Sequence, residues 1–219
     1  NLGATSKMLK KLLLLLDYDG VIVDSAQPVL DETAAFCANH QIAFNLNLED
    51  FDRLNPATFT MLAKICGIPD SKHRNYAQFL FDELQSDKRR IPLFNGIKDL
   101  IDDLSRYHTL CVVTANHAKV VENRLAHEQI QNCIDTYYGS DQPGSKADHI
   151  RQALDHYAVP AADAWMIGDS VSDIEAARHG GVNSVAVSWG WQSRSLLGSH
   201  SPDLLFDTPQ EMHTFFKPN

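Results

Sequence analysis

Leu12-Leu13-Leu14-Leu15-Leu16-Asp17-Tyr18-Asp19-Gly20-Val21-Ile22-Val23-Asp24-Ser25 is the stretch on which the reading of this chain turns. The leucine run is too short for a helix and suits a strand buried on both faces. It stops abruptly at two aspartates and a glycine. Side chains two apart on a strand point the same way, and where the strand is ending both carboxylates can turn toward the open edge of a sheet. Taken alone, the motif serves equally well as an acidic turn.

Working outward, five more short apolar runs each end in polar or glycine residues: Leu110–Val113, Ile134–Tyr138, Trp165–Ile167, Val185–Val187 and Leu204–Phe206. Between them lie segments of helical period, such as Ile97, Leu100, Ile101, Leu104 and Tyr107, or Ile150, Ala153, Leu154 and Tyr157. Alternating strands and helices predict an α/β fold with a parallel sheet, right-handed crossovers and a ligand site at the carboxyl ends of the strands. From Ala26 to Arg90 only helical patterns occur, over Val29–Ala38, Leu48–Ile65 and Tyr76–Leu84. The expected organisation is a core of residues 8–25 and 92–219 with an inserted all-helical domain over residues 26–91, and Pro28 and Pro92 as its joints. Residues 1–7 lack an initiator methionine and read as an expression remnant ahead of a natural start at Met8.

Composition narrows the function classes. Of 219 residues, 44% are hydrophobic and 21% charged, enough to bury a real core. The formal charge of −9 disfavours nucleic acid and anionic lipid, and the clusters Lys10-Lys11 and Lys88-Arg89-Arg90 are too short to reverse that. Lysines before leucines imitate a signal peptide, but the run is short and leads into Asp17 rather than a small-residue cleavage site. No apolar stretch reaches the length of a membrane span. Cys37, Cys66, Cys111 and Cys133 are widely spaced without a CxxC, which predicts a reducing, cytoplasmic setting.

Three further features carry chemistry. Thr114-Ala115-Asn116 ends a strand, and its hydroxyl and backbone N–H groups suit phosphate oxygens. Lys146 opens a helix, where the dipole disfavours a cation unless an anion or carboxylate cluster sits opposite. Gly168-Asp169 ends another strand, with Asp173 four residues on and Ser172 placed to cap the next helix. Asp17, Asp19, Asp169 and Asp173 would therefore meet at one sheet edge, at a cost in charge repulsion. Mg²⁺ with Lys146 would bring the four carboxylates to a net charge of about −1. Oxygen donors without His or Cys favour Mg²⁺ over softer metals.

The ordered set Asp17-x-Asp19-Gly20-Val21, Thr114, Lys146 and Gly168-Asp169-x3-Asp173 resembles the haloacid dehalogenase superfamily. The helical stretch is similar to that family's helical cap, and Val185–Trp191 with Pro202-Asp203 is similar to its phosphoglycolate phosphatase-like branch. The resemblance implies a Rossmann-like parallel sheet core and a phosphatase acting on a small phosphorylated metabolite. It implies Asp17 as nucleophile forming an aspartyl-phosphate, and Asp19 as general acid–base. Gly20, Thr114, Ala115, Asn116 and Lys146 would hold the phosphate, and Lys146 would also neutralise Asp17. Mg²⁺ would be held by Asp17, the Asp19 carbonyl and Asp169, with Asp173 in support. An acid at position 19 argues for transfer from an oxygen ester, because carbon–halogen and carbon–phosphorus cleavage in relatives do without it. In the cap, Arg53 and Asn55 are candidates for substrate specificity, where relatives often carry Gly. The same residues would serve a phosphomutase of the β-phosphoglucomutase type. A phospho-acceptor switch shares Asp, Thr and Lys, but lacks a cap and the first-strand Asp pair.

Overall fold

The computed structural model describes residues 10–85 and 91–218. The readings of residues 1–7, of a start at Met8 and of the cluster Lys88-Arg89-Arg90 lie outside the described residues.

The leucine run forms β1 (Leu13–Leu16), with no residue more than 1% exposed. It pairs in parallel with β2 (Thr109–Val113) on one side and β4 (Ala164–Gly168) on the other. Beyond these lie β3 (Thr136–Tyr138) next to β2, then β5 (Asn183–Val187) and β6 (Leu204–Phe206) next to β4. The sheet order is β3-β2-β1-β4-β5-β6, all parallel. All six predicted apolar runs are strands of this sheet. Alternation along β1 sends Leu14 and Leu16 into one core cluster and Leu13 and Leu15 into the other, so both faces are covered. Chain order reverses at β1, and such a switch point leaves a crevice at the carboxyl ends of the central strands.

Helices α1 (Ala26–Asn39), α2 (Phe59–Ile65) and α3 (His73–Gln85) follow β1 before the sheet resumes. They build a hydrophobic cluster around Val29, Phe36, Phe51, Leu62, Tyr76 and Leu80, to which Trp191 of the sheet unit is added. The two chain connections to this layer run side by side: Asp24 N donates to Pro92 O at 2.9 Å, Phe94 N to Ile22 O at 3.1 Å, and Val23 bridges Leu93.

Two local expectations are corrected. Pro28 is not a joint but lies in the first turn of α1, where a missing N–H leaves no helical bond unmade. The helical pattern over Leu48–Ile65 is not one helix: a 3-10 segment, Leu48–Arg53, ends before Pro56, and α2 starts afresh at Phe59 with Thr58 as its cap. Proline disfavours the helical region for the residue before it, which breaks the stretch there. After the cap come α4 (Ile97–Leu104) and α5 (Ala118–His127), then α6 (Lys146–Tyr157) and α7 (Val171–Gly180), and last α8 (Arg194–Ser199) and α9 (Pro209–Phe216).

Candidate active site

The carboxyl end of β1 delivers Asp17, whose backbone N–H still bonds Ile167 O of β4 at 2.9 Å. Its side chain accepts from the Tyr18 N–H through Oδ1 at 2.7 Å and from Lys146 Nζ through Oδ2 at 2.6 Å. Lys146 is the first residue of α6, which Ser145 and Asp148 start with a reciprocal capping box. Its ammonium also reaches Asp173 Oδ1 at 2.5 Å. The cation that opposes its own helix dipole thus lies between two carboxylates from other elements.

Asp173 stands in the first turn of α7 and is 1% exposed. Its second oxygen accepts from Ser170 Oγ at 2.6 Å and Ser170 N at 3.2 Å. Ser170, not Ser172, is therefore the cap of this helix. The pattern Ser-x-x-Asp carried that signal in the sequence, and Ser172 instead receives the Ala57 N–H of the cap at 3.4 Å. Asp169, 3% exposed, accepts from the Trp191 N–H at 2.6 Å. One oxygen each of Asp17, Asp169 and Asp173 lies within 4.8 Å of the others.

Burial raises the Asp17 carboxyl to about 7, Lys146 opposing and Asp173 adding to the shift. Asp169 is raised by burial, and then by the charges of Asp173 and Asp17. For Lys146, burial alone acts downward, but Asp17 and Asp173 outweigh it and keep the ammonium protonated. Three buried carboxylates thus share one cation, and this cluster of hard oxygen donors fits a divalent metal ion. Asp19 has different company. Burial raises its carboxyl, against hydrogen bonds from Ser25 and Asn116 and the charge of Lys146.

Thr114 is buried and its hydroxyl accepts the Asn116 N–H at 3.0 Å. Ala115 and Asn116 line the same cavity as Asp17, Asp19, Lys146 and Asp169. Gly20 does not line it. At φ +74° it packs beneath the acids, where an added Cβ would fall 1.7 Å from Asp169 Oδ2. The cavity has a volume of about 400 Å³, and its cap side comes from Thr58 and Phe59 of the α2 start and from one face of α3. Arg53 and Asn55 do not line it: Arg53 pairs with Asp50 at 3.0 Å, and Asn55 is exposed beside Pro56. Ser25, Trp191 and the cap residues of α3 were not read as site residues from the sequence, because their relevance comes from contacts between distant segments.

A parallel α/β enzyme with a buried acidic centre, one lysine and a helical layer over it is the class these features define. The chain belongs to the haloacid dehalogenase-like hydrolases, whose family model matches residues 14–187, and it stands with the phosphatases of that family. It is 25% identical to a phosphoglycolate phosphatase of Synechococcus elongatus, over 91% of this chain and 94% of that protein. Over 50% of the chain and 52% of the relative, it is 32% identical to a 5'-nucleotidase of Pseudomonas aeruginosa. A haloacid dehalogenase-like family hydrolase from Streptococcus pneumoniae has the same fold, with a TM-score of 0.83 at 23% identity, covering 94% of this chain and 98% of that one.

Proposed function

We propose that the chain is a Mg²⁺-dependent phosphatase that hydrolyses a small phosphate monoester through an aspartyl-phosphate on Asp17. One observation carries the reading: Asp17 and Asp19 share a loop at the end of β1, the first held by Lys146 and the second by Ser25 and Asn116. Asp17 and Asp169 would hold the ion, with Asp173 behind them. When bound, the ion supplies positive charge to the carboxylates and to the phosphoryl oxygens.

The residues divide the work. Asp17 attacks phosphorus with a carboxylate oxygen, while Lys146 and the Thr114 to Asn116 turn hold the phosphoryl group in line. Asp19, which burial keeps toward its protonated form, gives its proton to the leaving alcohol oxygen. It then takes a proton from the water that attacks phosphorus, which releases phosphate and restores Asp17. Residues 26–91 serve as the cap over a core of residues 8–25 and 92–219, excluding bulk water. The net charge of −9 supports a small metabolite rather than nucleic acid or membrane as partner. Free cysteines, three of them buried, support a cytoplasmic setting. Among the described residues no helix is long and apolar enough to cross a membrane.

Phosphate release from a panel of small monoesters, with Mg²⁺ or with EDTA, tests the reading. Metal-dependent release by wild type that disappears in Asp17→Asn is expected. Undiminished release by Asp17→Asn would sink it.

A further inference from the structure

Helix α3 has two faces. Tyr76 and Leu80 are fully buried in the cap's own core. Arg74, Ala77, Gln78 and Phe81, spaced i, i+3, i+4 and i+7, line the cavity above Asp17. The cavity face is thus mixed, with Ala77 and Phe81 apolar beside Arg74. Phe81 leans on His117 of the sheet unit with ring centres 4.6 Å apart, and Phe59 and Trp191 add further apolar wall.

Arg74 is the exception among the arginines. Acids outnumber bases 28 to 19, so partners are in excess. Every other arginine among the described residues has a carboxylate or carbonyl partner. Arg74 has neither among the described residues, and its neighbour Gln78 is engaged by Asp82 at 2.8 Å. A guanidinium fork without a partner among the described residues, on the wall of this cavity, matches a carboxylate or phosphate oxygen pair supplied by a ligand. The phosphoryl group to be transferred belongs at the opposite side, at Asp17 and Lys146. A volume of about 400 Å³ lies in the range of pockets that enclose organic ligands, and a two-carbon acid would leave the apolar wall bare.

We infer that the cap carries a second anion subsite at Arg74, so that the substrate is a phosphate monoester whose alcohol has an apolar body ending in an anionic group. The inference rests on the phosphatase reading and narrows its substrate class.

The test is phosphate release with Mg²⁺ from phenyl phosphate, 4-carboxyphenyl phosphate, 4-phosphonophenyl phosphate and 2-phosphoglycolate, by wild type, Arg74→Ala and Arg74→Lys. Wild type should favour at least one of the two anionic aryl esters over phenyl phosphate by about 10-fold or more in kcat/KM, chiefly through KM. Which of them wins separates a carboxylate from a phosphate-like second anion. In Arg74→Ala that ratio should fall toward one, with Arg74→Lys in between. Because the leaving groups differ in acidity, the change of ratio between wild type and variant is decisive. Equal losses on all esters would place Arg74 at the transferred phosphate or in the scaffold and overturn the subsite. So would a wild-type ratio near one. A wild-type preference for 2-phosphoglycolate over both aryl acids would overturn the apolar body. If wild type hydrolyses none of the esters and matches Asp17→Asn, the phosphatase reading itself fails and takes the subsite with it.

Discussion

Asp17 and Asp19 are separated by one residue, and burial raises both carboxyls, but different partners oppose it and fit them to different tasks. The first has an ammonium on one oxygen and a backbone N–H on the other, contacts that favour the ionised form a nucleophile needs. The second is met by the neutral donors Ser25 and Asn116, and burial outweighs them and favours the protonated form. Asp19→Asn should therefore lower kcat by about 10²–10⁴-fold on an alkyl phosphate, whose alkoxide must be protonated as it leaves. On 4-nitrophenyl phosphate, whose leaving group needs no proton, the loss in the first step should be much smaller. Burst kinetics on the two esters would show it, and equal losses in the bursts would refute the acid role. The charged members of this centre were legible only as an ordered set, because each alone serves as well as an acidic turn, a helix start or a surface lysine. Of the neutral donors, Asn116 was read as holding phosphate, but its bond to Asp19 was not read. Ser25 is an ordinary residue before a helix, and the Trp191 N–H that holds Asp169 is a backbone group no sequence pattern marks.

At the level of elements, the segment after β5 ties the helical layer to the sheet. Gln192, 2% exposed, donates through Nε2 to Phe51 O at 3.1 Å and Leu54 O at 2.7 Å, while its Oε1 accepts the Val171 N–H at the start of α7 at 2.7 Å. Next to it, Ser193 donates to both oxygens of Asp52, at 2.7 Å and 2.6 Å. One buried amide thus satisfies two cap carbonyls and the first turn of the helix that carries Asp173. Gln192→Leu would leave those groups buried without partners, and a loss of roughly 2–3 kcal/mol is expected. A lower urea midpoint at unchanged m-value would register it. An unchanged midpoint would mean that the carbonyls find water and the tie is slack. Element types were readable here and element ends were not: the stripe over Leu48–Ile65 holds apolar residues at helical spacing, but Pro56 divides it, and a periodicity count does not see that break.

Across the whole molecule, the strands and their parallel sense could be read because burial on both faces leaves continuous apolar runs, and connections of this length require crossovers. Which cap residues meet the site could not, since α3 comes to line the cavity of Asp17 through the packing of a separate hydrophobic cluster. The same distinction governs how the molecule should respond to acid. Asp103 of α4 accepts from Lys217 and His213 at the chain's other end, each at 2.8 Å, and these bonds hold its carboxyl below the usual range. Asp148 is held low by Ser145 at the start of α6; at Asp141 burial is the largest single effect and acts upward, but backbone N–H groups, including that of Ala118 at the start of α5, together outweigh it and hold the carboxyl low. A carboxyl whose folded pKa is depressed adds stability that is present above its unfolded pKa of about 3.9, and that stability is lost as pH falls through the folded value. The melting temperature should therefore fall steeply below about pH 4. Asp103→Asn should melt below wild type at about pH 7, and the gap should narrow as pH falls below about 4 and Asp103 of the wild type takes up its proton. Melting curves of both proteins in EDTA across that range check the sign. A gap that stayed constant with pH would show that the α4–α9 contact stabilises by packing and not by the charge on Asp103.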